Sequence, residues 1–137
     1  MNTHYQFNDI ELEKQFENCT LDPSLLSHEA HIRLAWIHIR KYGIDKAAQN
    51  IIRQIEKFAN TVGAPEKFNK TVTIAAMKAV YHFMQVSEYT NYLDFISAFP
   101  RLKYDFKELL GLHYSIDIYN MPVAKTEFIE PDLLPFE

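Results

Sequence analysis

The sequence predicts an all-α protein: a compact helical bundle of three long helices plus several short helices and an extended C-terminal tail, in a single domain over residues 1–137. Three features predict this class. Apolar residues recur at i, i+3, i+4 and i+7 through three long segments. Strict apolar/polar alternation, the mark of a half-buried strand, is missing throughout. Capping residues, glycines and prolines punctuate the ends of the periodic segments.

The elements follow in order. A first helix is expected over about Asp9 to Asn18, where Asn8 and Glu11 have capping-box spacing and Ile10, Leu12 and Phe16 offer apolar contacts. Asp22-Pro23 opens the second, with aspartate as N-cap and proline at the first helical position, and Gly43 ends it. Leu25, Ile32, Trp36 and Ile39 form one side of this helix; Leu26, Ala30, Leu34 and Ile37 form another. Glu29, Arg33 and Arg40 mark a narrow solvent strip in which Glu29 and Arg33, four apart, can pair. So little polar surface puts the helix in the middle of a bundle.

Asp45 caps the third helix, which runs to about Thr61 with Ala48, Ile51, Ile52, Ile55, Phe58, Ala59 and Val62 inward; Gly63-Ala64-Pro65 stops it. A fourth extends from near Asn69 to about Val86, its core side defined by Val72, Ala76, Ala79, Val80 and Phe83. Shorter helices are expected at about Thr90 to Ala98 and Tyr104 to Leu110, separated by Pro100 and closed by Gly111; Ser115 is placed to cap one more turn. Pro131 and Pro135 bracket a tail that cannot be helical throughout and is expected to pack extended through its Leu and Phe.

Composition narrows the function. One domain of 137 residues buries about two-thirds of its unfolded surface. A net charge of -4 argues against a nucleic-acid partner, which needs a basic surface to release counterions. Three glycines cannot build a glycine-rich phosphate loop. No apolar run nears the roughly 18 residues that span a bilayer, and Met1 to Asp9 has neither the basic start nor the apolar core of a signal peptide. With Cys19 as the single cysteine, a reducing compartment fits, and the expected location is cytoplasmic, without a membrane partner.

The second helix carries the pattern most suggestive of chemistry. His28, His31 and His38 fall within about a quarter-turn of one face, flanked by apolar residues, so their imidazoles are expected to look inward. Two readings stand beside each other. They are hydrogen-bonded core residues, or they line a polar pocket. His28 and His31 could also share a divalent metal, with further ligands among Asn69, His82, Glu108 and His113. The Glu-x-x-His pairs of di-iron bundles and the His-Glu-x-x-His of zincins are both absent, so a metal cofactor is not favoured. Phe68-Asn69-Lys70-Thr71 opens the fourth helix; Asn69 is its N-cap, and the free N–H groups with Lys70 and Thr71 suit an anion. His113 and Tyr114 follow Gly111 in a loop that either packs or covers a pocket mouth.

With these residues in view, the chain resembles a small bacterial all-helical family of uncharacterised function. An early His-x-x-His helix appears as His28-Glu29-Ala30-His31, a (Tyr/Phe)-(His/Asn)-x-Thr motif as Phe68 to Thr71, a Tyr-Ser pair as Tyr114-Ser115, and a Pro-Asp-Leu-x-Pro tail as Pro131 to Pro135. The resemblance implies the helical fold and the location of a site. It implies a histidine where this chain has Asn69, which keeps hydrogen-bonding capacity but not imidazole chemistry.

Together these readings predict a small-ligand-binding domain, with or without enzymatic activity, whose pocket lies between the second and fourth helices and is lined by His28, His31, His38, Asn69 and Thr71. The alternative is a non-catalytic interaction or scaffolding protein that binds itself, as a homo-oligomer, or a partner through Tyr89, Tyr92, Phe95 and Phe99. A metal-dependent enzyme is the third.

Overall fold

The computed structural model describes residues 3–136. It is all-α, with helices α1 (Asp9–Glu17), α2 (His28–Tyr42), α3 (Ile44–Thr61), α4 (Lys70–Gln85), α5 (Tyr92–Ala98), α6 (Arg101–Tyr104), α7 (Phe106–Gly111) and α8 (Pro122–Thr126), and no strand among the described residues. The three long helices are present, α3 and α4 close to their expected spans and α2 with a later start. No helix is long and apolar enough to cross a membrane. The chain divides into two compact units, Met1–Phe68 and Asn69–Glu137, although no shift in composition marks a boundary there.

In the first unit α1, α2 and α3 pack on one another. Both halves of the α1 capping box form: Asn8 Oδ1 accepts from Glu11 N at 2.8 Å, and Glu11 Oε1 accepts from Asn8 N at 3.0 Å. Leu12 and Phe16 are fully buried, while Ile10 is 76% exposed and adds nothing to the core.

Helix α2 starts later than expected. Asp22 does cap a turn, accepting from Ser24 N at 3.0 Å and Ser24 Oγ at 2.9 Å, but it is only a 3-10 turn, Pro23–Leu25. Leu26 (ψ 67°) leaves helical space, and Ser27 then caps α2 by accepting from Ala30 N at 3.1 Å. Gly43, at φ 82°, both closes α2 and opens α3, so it displaces Asp45 as the cap; a side chain there would strain the left-handed backbone. Asp45 stays in the first turn of α3, where its charge complements the helix dipole. The buried stripe of α3 is Ala47, Asn50, Ile51, Gln54, Phe58 and Ala59; Ile51, Phe58 and Ala59 are buried as expected, but the face is rotated, leaving Ile52 and Ile55 half-buried and Val62 exposed.

Arg33 overturns the expected solvent strip of α2. It is only 5% exposed. Its guanidinium donates to Asp9 Oδ1 (Nη2, 2.9 Å; Nε, 3.2 Å), to the His4 carbonyl (2.8 Å) and to the Phe7 carbonyl (2.9 Å). It also donates to His4 Nδ1 at 3.2 Å. Guanidinium cannot accept, so His4 carries its proton on Nε2, which lies 3.4 Å from Glu29 Oε1. The Tyr5 hydroxyl donates to Glu29 as well. A buried cation with this many partners fixes the segment before α1 onto α2.

In the second unit α4 packs on α8, and α6 on α7. Asn69 caps α4, accepting from Val72 N at 3.0 Å. Asn91 caps α5, accepting from Asp94 N at 2.9 Å. The helix expected over Tyr104 to Leu110 is α7, starting after Asp105 (φ −127°), and α6 precedes it as a further short helix. Ser115 caps nothing; its N–H and hydroxyl both bond Asp132. Helix α8 goes beyond the sequence expectation; Pro122 stands in its first turn.

Beyond Thr126 the tail is non-helical and bends at 132–134, and backbone groups hold it more than its leucines do. Thr71 Oγ1 donates to the Glu127 carbonyl (2.7 Å) and accepts from Ile129 N (3.1 Å). The Tyr114 hydroxyl donates to the Ile129 carbonyl at 2.6 Å. Burial, with the Glu130 and Asp132 charges, pushes the Tyr114 pKa up to about 12, which keeps that donor protonated. Further along, Leu133 N donates to the His113 carbonyl (2.9 Å), while Leu133 and Leu134 remain exposed.

Candidate functional site

The histidine stripe does not act as one surface. His28 occupies the exposed first turn of α2, because the helix begins at Ser27 rather than Asp22. His31 is half-buried and lines a cavity. His38 is 1% exposed, and neither of its ring nitrogens has a hydrogen-bond partner among the described residues. Its ring centroid lies 5.3 Å from that of Tyr42, beside a second polar cluster. There the buried Glu13 carboxylate accepts from Lys41 Nζ at 3.1 Å and from the Tyr42 hydroxyl at 2.7 Å. Burial lowers the His38 pKa, against the pull of the Glu13 charge. The rise between His31 and His38 is about 10 Å, so the two imidazoles serve different surroundings.

Asn69 and Thr71 are structural. The Asn69 amide donates to the Ile118 carbonyl at 2.8 Å while its oxygen caps α4. Thr71 has no exposed surface, and its hydroxyl is fully engaged by the tail. Neither lines either of the two cavities described below, so both leave the candidate site. Among the described residues no three His, Cys, Asp or Glu side chains gather where a metal ion could be held, so the His28/His31 pair lacks a third protein ligand. The single cysteine, Cys19, holds a turn at φ 58°.

Each unit has its own cavity. In the first, about 190 Å³ is lined by His31 with Leu26, Ile55, Phe58, Val62, Lys67 and Phe68 among its neighbours. Ile55 of α3 and Val62 just after it, expected in the core, are therefore cavity wall. Burial and the neighbouring His28 charge push the His31 pKa down to about 4, so the ring is neutral at pH 7.

The second cavity is larger, about 510 Å³, and mostly apolar: Ala79 and Phe83 of α4, Leu109 of α7, Leu112, and Leu134 to Phe136 of the tail, with His82 and His113 as its polar members. His113 Nδ1 lies 2.8 Å from the Leu134 carbonyl, and its ring stacks on Phe136 with centroids 4.1 Å apart. A carbonyl only accepts, so Nδ1 carries a proton and donates it to the tail. The ring's position is thus fixed by the tail. Sequence reasoning named His82 and His113 separately; the only signal joining them to the tail was the Pro131 to Phe136 run itself. The aromatic residues of the interaction reading lie mostly inside this unit: Tyr92 and Phe95 are buried, and Phe99 sits between Phe83 (4.8 Å) and Phe95 (5.3 Å). In comparisons with known proteins, no family model, curated protein or solved structure matches this chain.

Proposed function

We propose that the protein binds a small, largely apolar molecule carrying one polar group, in the cavity of its C-terminal unit. The observation that carries this reading is an apolar cavity of about 510 Å³ whose wall holds an oriented imidazole, His113. Its size is that of sites for drug-sized ligands, where apolar walls supply affinity and a few fixed polar groups supply orientation. His113 Nε2 accepts from a ligand hydroxyl or amide. His82, on α4, is the second polar group at the same cavity. The reading moves the site from the expected place between the second and fourth helices, because Asn69 and Thr71 at the start of α4 are engaged elsewhere. It includes kinship with the bacterial family that the His28-to-His31 and Pro131-to-Pro135 motifs resemble, a cytoplasmic location and no nucleic-acid partner. The interaction reading is weaker, because Tyr92 and Phe95 are buried and unavailable to a partner.

The test is a titration with decanol, followed by NMR of the histidine rings. Saturable shifts at His82 and His113, abolished in L112W, support the proposal; Leu112 is half exposed at the cavity wall, so a larger side chain there fills space without opening the core. Decanol that leaves both rings unmoved up to its solubility limit removes the reading.

A further inference from the structure

The first unit contains a second candidate site, independent of the cavity just described. We infer that the His31/Lys67 cavity binds a carboxylate carried on a single aromatic ring, the ring lying between apolar walls and the carboxylate meeting Lys67.

Size comes first. A cavity of about 150 Å³ holds benzene; this one measures about 190 Å³, room for one ring and a short arm. Shape and chemistry of the wall come next. Phe58 of α3 and Phe68 offer ring surfaces for offset or edge contacts, and Leu26, Ile55 and Val62 complete an apolar enclosure.

Charge sets the polar group. Lys67 is exposed at the end of the 3-10 turn Pro65–Lys67, and no hydrogen bond or ion pair engages its ammonium among the described residues. No carboxylate belongs to the cavity wall, so an unopposed cation stands at an apolar hollow. The ring of His31 likewise has no hydrogen-bond partner among the described residues. Held neutral by its surroundings, it brings one N–H donor and one acceptor without adding positive charge. A carboxylate can take the Lys67 ammonium on one oxygen and the His31 N–H on the other. A neutral ring compound would leave the ammonium unmatched, and an inorganic anion would leave the apolar walls unused.

Phenylacetate, with its neutral isostere phenylacetamide, tests this on the full chain at pH 7. The expected result is a saturable shift of the His31 ring signals with phenylacetate in the millimolar range or below. K67Q, a surface change that leaves the core untouched, should weaken phenylacetate about threefold to fivefold, the effect of an exposed ion pair, with phenylacetamide unaffected. Three results overturn the inference: no saturable shift at His31, equal phenylacetate affinity of K67Q and the native chain, or shifts confined to His82 and His113. The last would place the acid in the other cavity. Decanol and phenylacetate report through different histidines, so failure of one reading is distinguishable from failure of the other.

Discussion

Mild acid should destabilise the protein through His31. The folded chain holds this imidazole at a pKa of about 4, against an ordinary 6.5. An unfolded chain therefore binds the proton first, and stability rises with pH across the interval. The contribution is full above about 6.5 and drains as pH falls toward 4. At about 1.4 kcal/mol per pH unit, the interval amounts to about 3 kcal/mol, of which about 2 kcal/mol is lost between pH 7 and pH 5. His38 moves in the same direction, through burial. Glu13, Asp22, Asp117 and Asp132 are held below their ordinary values, chiefly by hydrogen bonds to their charged forms, so their contributions drain as pH falls through about 4.5 and below. Urea unfolding of the native chain and H31Q at pH 7, 6 and 5 isolates the His31 contribution, because His38 is common to both. The native chain should lose about 2 kcal/mol more than H31Q between pH 7 and pH 5. Parallel losses in the two proteins, or an NMR titration midpoint for His31 near 6.5, would refute the reasoning.

Removing the guanidinium in R33A should cost about 2–4 kcal/mol in urea unfolding, since it strips the His4 and Phe7 carbonyls and Asp9 of a buried cation; the Phe7 amide should exchange faster with solvent. T71V, nearly isosteric, should cost about 1–3 kcal/mol by leaving the Ile129 N–H without its acceptor, and an unchanged denaturation midpoint would contradict the role given to that hydroxyl. In native-state hydrogen exchange the Leu133 amide, bonded near the surface, should open more readily than the Ile129 amide, bonded to buried Thr71; equal protection would mean the tail moves as one piece. C19G should raise stability by up to about 1 kcal/mol, because a left-handed backbone suits glycine, and calorimetry checks it.

The long helices were legible because their apolar spacing is redundant: removing any one residue from the α3 or α4 pattern leaves the period intact. Caps were legible where one signal stood alone, as at Asn8, Gly43 and Asn69. The start of α2 was not, because Asp22-Pro23 and Ser27 are both good start signals. Local chemistry cannot choose between them; the turn at Leu26 and the burial of Leu25 do. That choice also decides the histidine stripe, since a helix starting at His28 leaves its first turn in solvent. Arg33 misled for a different reason. Four residues from Glu29, it fits a surface pair, and nothing local reveals that its acceptors are Asp9 and two carbonyls before it. The larger cavity was illegible as a whole, because α4, the His113 loop and the tail converge only in the fold.

The anchoring of that tail bears directly on what the C-terminal cavity can do. Its first part is tied through Thr71 and Tyr114, two buried side chains whose hydrogen bonds are sheltered from water. The part that walls the cavity is tied through Ser115 with Asp132, and through His113, all at the surface or half exposed. Hydrogen bonds that water can replace contribute less to holding a segment shut than sheltered ones. The segment lining the cavity is therefore held less firmly than the segment before it, an order that hydrogen exchange at Leu133 and Ile129 reads directly. His113 belongs to both tail contact and cavity: its Nδ1 bonds the Leu134 carbonyl, and the residue lines the cavity. Under the ligand reading proposed above, a donor held at Nε2 would strengthen the Nδ1–H bond to Leu134, so occupancy and that contact would reinforce each other.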